Sequence, residues 1–121
     1  MNEQIYNWLK EFPGLELLQR QQVDAVPEGC GLFFRGVTVT DRSHDLLGNP
    51  HGKKTYAFRL YRYGDPVDSP VFFLLLGHWV DDTQTLGVSA TAALKNARCI
   101  RDNGGLALWE ADLDITCWEA L

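Results

Sequence analysis

Apolar residues at the start of the chain recur with the spacing of a helix. Ile5, Trp8, Leu9 and Phe12 occupy positions i, i+3, i+4 and i+7, which form one stripe of an amphipathic α-helix. Pro13 restricts the conformation of the residue before it, and a glycine follows, so we predict that the helix ends here.

Short runs of β-branched and aromatic residues come next and predict strands. Residues 32–34 and 37–40 are predicted to form strands on either side of a bend at Gly36. Residues 41–54 contain Asp, Ser, Asn, Pro and Gly, and we predict a loop of unusual length there. The side chains of residues 55–63 would alternate between the two faces of a strand, a pattern typical of a half-buried strand.

The middle of the chain predicts a second helix. Ser69 followed by Pro70 is typical of a helix start, with serine as the N-cap and proline in the first helical position. Apolar residues then repeat at helical spacing, and further apolar residues lie between them. The repeat is Phe72, Leu75, Leu76 and Trp79, and the residues between are Val71, Phe73, Leu74 and Val80. A helix this apolar is either buried in the domain or presents a face to another subunit, and the short aromatic run leaves a strand as the alternative.

The C-terminal third predicts a β-hairpin. Residues 90–97 allow a helical stripe and residues 97–101 allow a strand, and the pattern leaves both open. Asn103-Gly104 is a strong turn signal, and the segment after it alternates strictly, so we predict a final strand paired with the strand before it. The apolar face of this last strand holds Ala107, Trp109, Ala111, Leu113, Ile115 and Cys117.

Together these elements predict a single domain over residues 1–121. The fold class is α+β, with a largely antiparallel β-sheet packed with two main helices in the order α-β-β-β-α-β-β. A length of 121 residues suits one domain, and 45% hydrophobic residues allow a packed core and exclude wholesale disorder.

The net charge of the chain argues against some classes of binding partner. The net charge of -5 argues against binding nucleic acid or an anionic membrane through bulk electrostatics. Residues 59–63 contain both Arg and Tyr, as do proteins that bind single-stranded nucleic acid. Because the rest of the chain is acidic, we interpret this segment instead as a half-exposed strand. The N-terminus lacks the pattern of a signal peptide. The longest apolar run, residues 71–76, is too short for a membrane-spanning helix. We therefore expect an intracellular soluble protein without nucleic-acid or membrane partners.

Residues that carry chemistry do not fall into a known catalytic or metal-binding pattern. His44, His51 and His78 lack metal-ligand spacing, and Asp81-Asp82 is interpreted as a solvated pair at a helix end. The three cysteines form no CxxC pair and are expected to be reduced thiols. We therefore expect no catalytic residue, metal or cofactor.

The last strand carries one coherent electrostatic feature. Glu110, Asp112 and Asp114 alternate on the face opposite its apolar side chains. Because like charges on one face repel, this face is expected to meet solvent or to pair with Arg or Lys of a neighbouring subunit.

The order of these elements, with several segments within them, resembles a known family. The segments are residues 8–14 at the end of the first helix, Arg42 and residues 45–48, the aromatic strand 56–60, residues 76–80, and the acidic last strand. The chain resembles small phage minor capsid and tail-completion proteins, in particular the tail terminators of long-tailed phages and prophages.

The resemblance implies a virion structural protein without catalytic activity. In that family a small α+β subunit forms a hexameric ring on the head-proximal end of the tail tube, stops tube growth and presents a surface to the head. Expected partners are other copies of the chain, the tail-tube protein and head–tail connector proteins. The expected location is the virion, and the host cytoplasm before assembly.

Three groups of residues are expected to form interfaces if the resemblance holds. They are the basic loop residues Arg42, Lys53 and Lys54, the helical residues Val71, Phe73 and Leu74, and the acidic residues Glu110, Asp112 and Asp114. Two alternatives remain: a head-closure or minor capsid protein, and a small-molecule-binding or enzyme domain with a pocket near His44, His51 and Cys30.

Overall fold

The part of the chain that the structure describes folds into a five-stranded sheet with two helices. The computed structural model describes residues 2–21, 29–82, 91–102 and 104–120. The elements in chain order are α1 (Asn2–Leu9), β1 (Gln19–Gln21), β2 (Cys30–His44), β3 (Pro50–Gly64), α2 (Ser69–Asp82), β4 (Thr91–Asp102) and β5 (Ala107–Ala120). The α+β class and the order α-β-β-β-α-β-β are confirmed. Among the residues that the structure describes, no helix is long and apolar enough to cross a membrane.

The sheet has the strand order β1-β2-β3-β5-β4. Only β1 lies parallel to its neighbour, and the other strand pairs are antiparallel. The two strands predicted around Gly36 form the single strand β2, which has an irregular register between Phe34 and Gly36. The short strand β1 was not predicted, because three polar residues carry no strand pattern.

The long loop predicted over residues 41–54 is wrong. Those residues form the outer part of a β-hairpin, in which β2 and β3 are each 15 residues long. Residues 91–102 form strand β4, so the helical alternative for residues 90–97 is also wrong. The predicted turn signal Asn103 lies outside the described residues, as do residues 83–90, and Gly104 has a positive φ of 86°.

The core lies between one face of the sheet and the two helices. The alternation of β5 is confirmed, since Ala111, Leu113 and Ile115 are buried there, beside Phe58 and Leu60 of β3. The stripe predicted for α1 is also confirmed, since its four apolar residues belong to the same core, although the last of them follows the end of the helix.

Aromatic rings join α1, α2 and the sheet. Trp8 of α1 stacks on Trp79 of α2 with their centroids 4.9 Å apart. Phe12 lies 5.4 Å from the same Trp79 ring, and Phe73 of α2 lies 6.1 Å from Trp109 of β5. Offset or tilted pairs at these separations add to the stabilisation from burial alone. The rings therefore set how α2 is placed over the sheet.

The start of α2 differs in detail from its prediction. The hydroxyl of Ser69 is fully buried and donates to the carbonyl of Asp65 at 2.9 Å, while Arg62 donates to the hydroxyl oxygen at 2.7 Å. The carboxylate of Asp65 accepts from the backbone N–H of Val67 at 2.8 Å, as in an Asx turn. Ser69 is thus a buried bridge to β3, and Asp65 organises the turn before the helix.

Candidate docking surfaces

The β2–β3 hairpin ends in a turn that presents two leucines to solvent. Residues 45–48, Asp-Leu-Leu-Gly, make up this turn, which we call the leucine turn. The side chains of Leu46 and Leu47 are almost completely exposed. Isolated exposed leucines are common, but two adjacent ones at the end of a long hairpin form a projecting apolar contact point.

Hydrogen bonds to Asp45 hold the leucine turn in one conformation. One carboxylate oxygen of Asp45 accepts from the backbone N–H of Leu47 and of Asn49, each at 2.9 Å. The other oxygen lies 3.2 Å from Nε2 of His51. The pKa of the Asp45 carboxyl is lowered, first by the backbone hydrogen bond from Asn49 and also by the contact with His51. All of these contacts lie within residues 45–51.

The basic residues assigned to the loop lie instead on the strands of the hairpin. Arg42 is exposed on β2, and Lys53 and Lys54 are half-buried on β3. Lys53 is opposite Trp118 and Lys54 is opposite Cys117 in the register with β5. Because successive strand residues point to opposite faces, the two lysines do not form one patch.

The residues assigned to a helical interface fall on both sides of α2. Phe73 is 4% exposed and belongs to the core, so it offers little of its surface to an interface. Val71, Leu74 and Leu75 are 55%, 62% and 55% exposed. An apolar face therefore remains on the outside of α2 in the single chain.

A groove of about 480 Å³ runs between α2 and the edge strand β4. Its apolar lining comes from Phe73, Leu74 and Gly77 of α2, Leu94 of β4 and Trp109 of β5. His78, Asp81, Lys95 and Asn96 also line it. The groove is mainly apolar with a few polar groups, the composition expected of a recognition site.

The acidic residues of β5 are paired within the chain. Lys95 of β4 lies 2.8 Å from the carboxylate of Asp114, and Arg98 of β4 contacts Glu110. Arg59 of β3 lies 3.6 Å from Glu110. The register brings these cations from the two strands that flank β5. Neither solvent nor a neighbouring subunit is needed to offset the repulsion that the sequence predicts.

Asp112 lies at the centre of this charge network. Its carboxylate accepts a hydrogen bond from the side chain of Asn96 at 3.1 Å and lies 3.7 Å from both Arg59 and Arg98. Desolvation acts to raise the pKa of Asp112, but the Asn96 hydrogen bond and the arginines outweigh it, so the pKa lies below its ordinary value. Asn96 itself has a φ of 59° at an irregularity of β4, which allows its amide to reach the carboxylate.

The histidine and thiol groups proposed for a pocket do not converge. His51 pairs with Ser43 near the leucine turn, whereas Cys30 pairs with Arg62 near the other end of β3. The eleven residues that separate His51 from Arg62 along β3 correspond to about 36 Å. Burial raises the pKa of the Cys30 thiol, which disfavours the reactive thiolate form. The pocket expected near His44, His51 and Cys30 is therefore wrong.

Metal binding finds no support in the described ranges. Within residues 2–21, 29–82, 91–102 and 104–120, no group of three or more His, Cys, Asp and Glu side chains is placed to hold a metal ion.

Sequence reasoning missed the groove, and in residues 41–54 it singled out the basic residues for contact rather than the two leucines. The turn had a recognisable local signal, since Asp at its first position and Gly at its fourth are typical of a β-turn. The groove had no such signal, because it forms only where α2 is placed beside β4.

No protein-family model matches the chain, and no curated protein matches it with statistical significance.

Proposed function

We propose that the protein is a virion structural subunit of the tail-terminator type. In this proposal its copies form a ring on the head-proximal end of a phage or prophage tail tube. The ring stops tube growth and offers a surface for head–tail joining. Its partners are other copies of the chain, the tail-tube protein and the head–tail connector proteins.

The observation that carries the proposal is the presence of apolar docking surfaces at separate places on one small domain. The leucine turn projects at the end of the β2–β3 hairpin, and Val71, Leu74 and Leu75 are exposed on α2. A subunit of a ring needs two different surfaces, because each copy contacts its neighbours head to tail.

The charge of the chain is compatible with the same role. Its net charge of -5 gives an acidic assembly when several copies surround a channel. DNA phosphates are repelled by such a surface, so DNA passes without being held. Glu110, Asp112 and Asp114 add little to this charge, because Arg59, Lys95 and Arg98 offset them within the chain.

A head-closure protein of the same assembly is the second candidate. It would use the same kinds of docking surface, and its partner would be the connector rather than the tube. Binding to purified tail tubes therefore separates the two candidates.

The proposal is tested by the size and target of the assembly. Sedimentation velocity over a concentration series, with negative-stain microscopy, should show a species several times the 13.7 kDa subunit mass with a central opening. Added to growing tail tubes of the phage that encodes it, the protein should bind tube ends and shorten the tubes. A chain that stays monomeric at every concentration and leaves tube length unchanged would refute the proposal.

A further inference from the structure

We propose that β2 of one copy pairs antiparallel with β2 of a second copy along residues 36–40, which we call the edge segment. The contact is two-fold, with Thr38 of one copy opposite Thr38 of the other. This inference goes beyond the proposed ring, because a two-fold contact joins two copies and neither builds nor needs a head-to-tail ring.

The edge segment has an open side among the described residues. β1 pairs with β2 only at Gly31, Leu32 and Phe33. Beyond them β2 has β3 on one side, and the described part of the chain places no strand on the other. Between two irregularities, residues 36–40 pair with β3 in an unbroken register. The backbone groups that point away from β3 are therefore placed to receive a further strand.

The two edges of the sheet differ in their protection against pairing. Natural edge strands avoid association through charged side chains and bulges. The edge strand β4 has both, since it carries Lys95, Arg98 and Arg101 and its register with β5 has two irregularities. The edge segment is Gly-Val-Thr-Val-Thr, without a charge or a proline and rich in β-branched residues. The composition of β2, and not that of β4, therefore favours association through an edge.

The sequence around Thr38 is complementary to itself in antiparallel pairing. Counting outward from Thr38, Val37 of each copy lies opposite Val39 of the other. The same count brings Arg35 of each copy level with Asp41 of the other. Opposite charges across two strands stabilise their pairing, and this register places one such pair at each end of the contact. The complementarity identifies a second copy of this chain as the occupant of the edge.

The charges of Arg35 and Asp41 are available for this contact. Neither residue has a partner in the register with β3. Within the part of the chain that the structure describes, neither takes part in an ion pair. Arg35 contributes to lowering the pKa of Asp112, but it does so without an ion pair. An ion pair between copies therefore breaks none within the chain.

The valines of the edge segment provide apolar area for the contact. Val37 is 49% exposed and Val39 is half-buried. Because they are two residues apart on one strand, both side chains lie on the same face. In the proposed pair they meet the same two valines of the other copy. Removal of this apolar area from water favours association.

The other face of the edge segment continues a row of threonines across the sheet. The register aligns one threonine from each of four neighbouring strands, which are Thr38, Thr55, Thr116 and Thr91. Within this row the hydroxyl oxygens of Thr55 and Thr116 lie 3.2 Å apart. Thr38 ends the row at the open edge, and pairing with a second copy places another Thr38 beside it. Cross-strand threonine pairs of this kind stabilise a sheet.

Disulfide trapping tests the register directly. Thr38→Cys should form a covalent dimer with itself under mild oxidation, because opposite residues of an antiparallel pair have Cα atoms about 5 Å apart. Thr40→Cys is the matched control, since both threonines are exposed on β2. In the proposed register, Thr40 is displaced from its counterpart by about 13 Å along the strands, too far for a disulfide. Both variants carry Cys99→Ser, which removes the exposed native thiol. Equal trapping of the two variants, or no trapping of Thr38→Cys, would overturn the proposal.

An exchange of charges tests which residues face each other. Arg35→Glu alone and Asp41→Lys alone should each weaken self-association about tenfold, because each places like charges level with one another at both ends of the pair. A mixture of the two variants should associate nearly as well as the wild type, since every end then has opposite charges. Sedimentation velocity measures all three samples, and urea denaturation checks that each variant is folded. A mixture that associates no better than its two components would overturn the proposal.

The results also separate this inference from the proposed function. If the chain forms rings while Thr38→Cys traps no dimer, the pairing through β2 fails and the ring stands. If Thr38→Cys traps a dimer while the wild-type chain neither forms rings nor shortens tail tubes, the pairing stands and the proposed function fails.

Discussion

The placement of α2 predicts that substitutions at two adjacent residues differ greatly in their effect on the free energy of unfolding. Phe73 is 4% exposed and its ring packs near Trp109, whereas Leu74 is 62% exposed. Phe73→Ala should lower the free energy of unfolding by about 3–5 kcal/mol, because it removes buried atoms and leaves a cavity. Leu74→Ala should change it by less than about 0.5 kcal/mol, the usual range for a surface position.

The size of the first effect is large relative to the stability of the fold. A domain of this length has a free energy of unfolding of about 5–15 kcal/mol, so Phe73→Ala removes a substantial fraction of it. Leucine and alanine are both good helix formers, so the exchange at Leu74 does not weaken the helix itself. The two variants therefore serve as matched controls for each other.

Urea denaturation followed by tryptophan fluorescence measures both effects. The difference in stability is read from the transition midpoint when the slope with denaturant is unchanged. Leu74→Asp is then tested for assembly, and it should remain folded while self-association weakens. Equal destabilisation by Phe73→Ala and Leu74→Ala would show that the placement of Phe73 on the buried side of α2 and of Leu74 on its exposed side is incorrect.

Three further predictions concern the charge network, acid stability and a tight turn. Glu110→Gln should destabilise the fold by about 1–3 kcal/mol in urea denaturation, because it removes the ion pairs with Arg59 and Arg98 and leaves Asp112 as their acidic partner, and a neutral effect would contradict the pairing. The pKa of Asp112 is lower in the folded chain than its unfolded value of about 3.9, so its contribution to stability is present above that pH and is lost as the pH falls through the folded value. Asp112→Asn should therefore show a shallower loss of stability below about pH 4 than the wild type, and parallel curves would refute this. Gly14→Ala should lower the melting temperature, because Gly14 has a φ of 106° and the new Cβ would lie 3.0 Å from Phe72, whereas Gly77→Ala should not lower it.

The candidate surfaces differ in how far the sequence could predict them. Exposure of Val71 and Leu74 agrees with the expectation that α2 keeps an apolar face outside, but the burial of Phe73 does not. The helix is apolar all round, so its periodicity could not decide which side meets the sheet. The aromatic contacts with α1 and β5 decide it.

The sequence by itself determined the local elements and the fold class. Helical spacing in α1 and strict alternation in β5 are enforced by the geometry of single elements, so both were predictable from neighbouring residues. The α+β class and the places of the two helices in the chain followed from the same patterns and are confirmed in the structure.

Only the tertiary structure decided how distant segments meet. The hairpin over residues 41–54 could not be predicted from local sequence, because turn-forming residues are common in it. Its strands form through pairing with residues of another strand. The cations beside Glu110 and Asp112 come from β3 and β4, which only the strand register brings together. Side-chain pairs across a sheet depend on which strands are neighbours, and that information is spread over the whole chain.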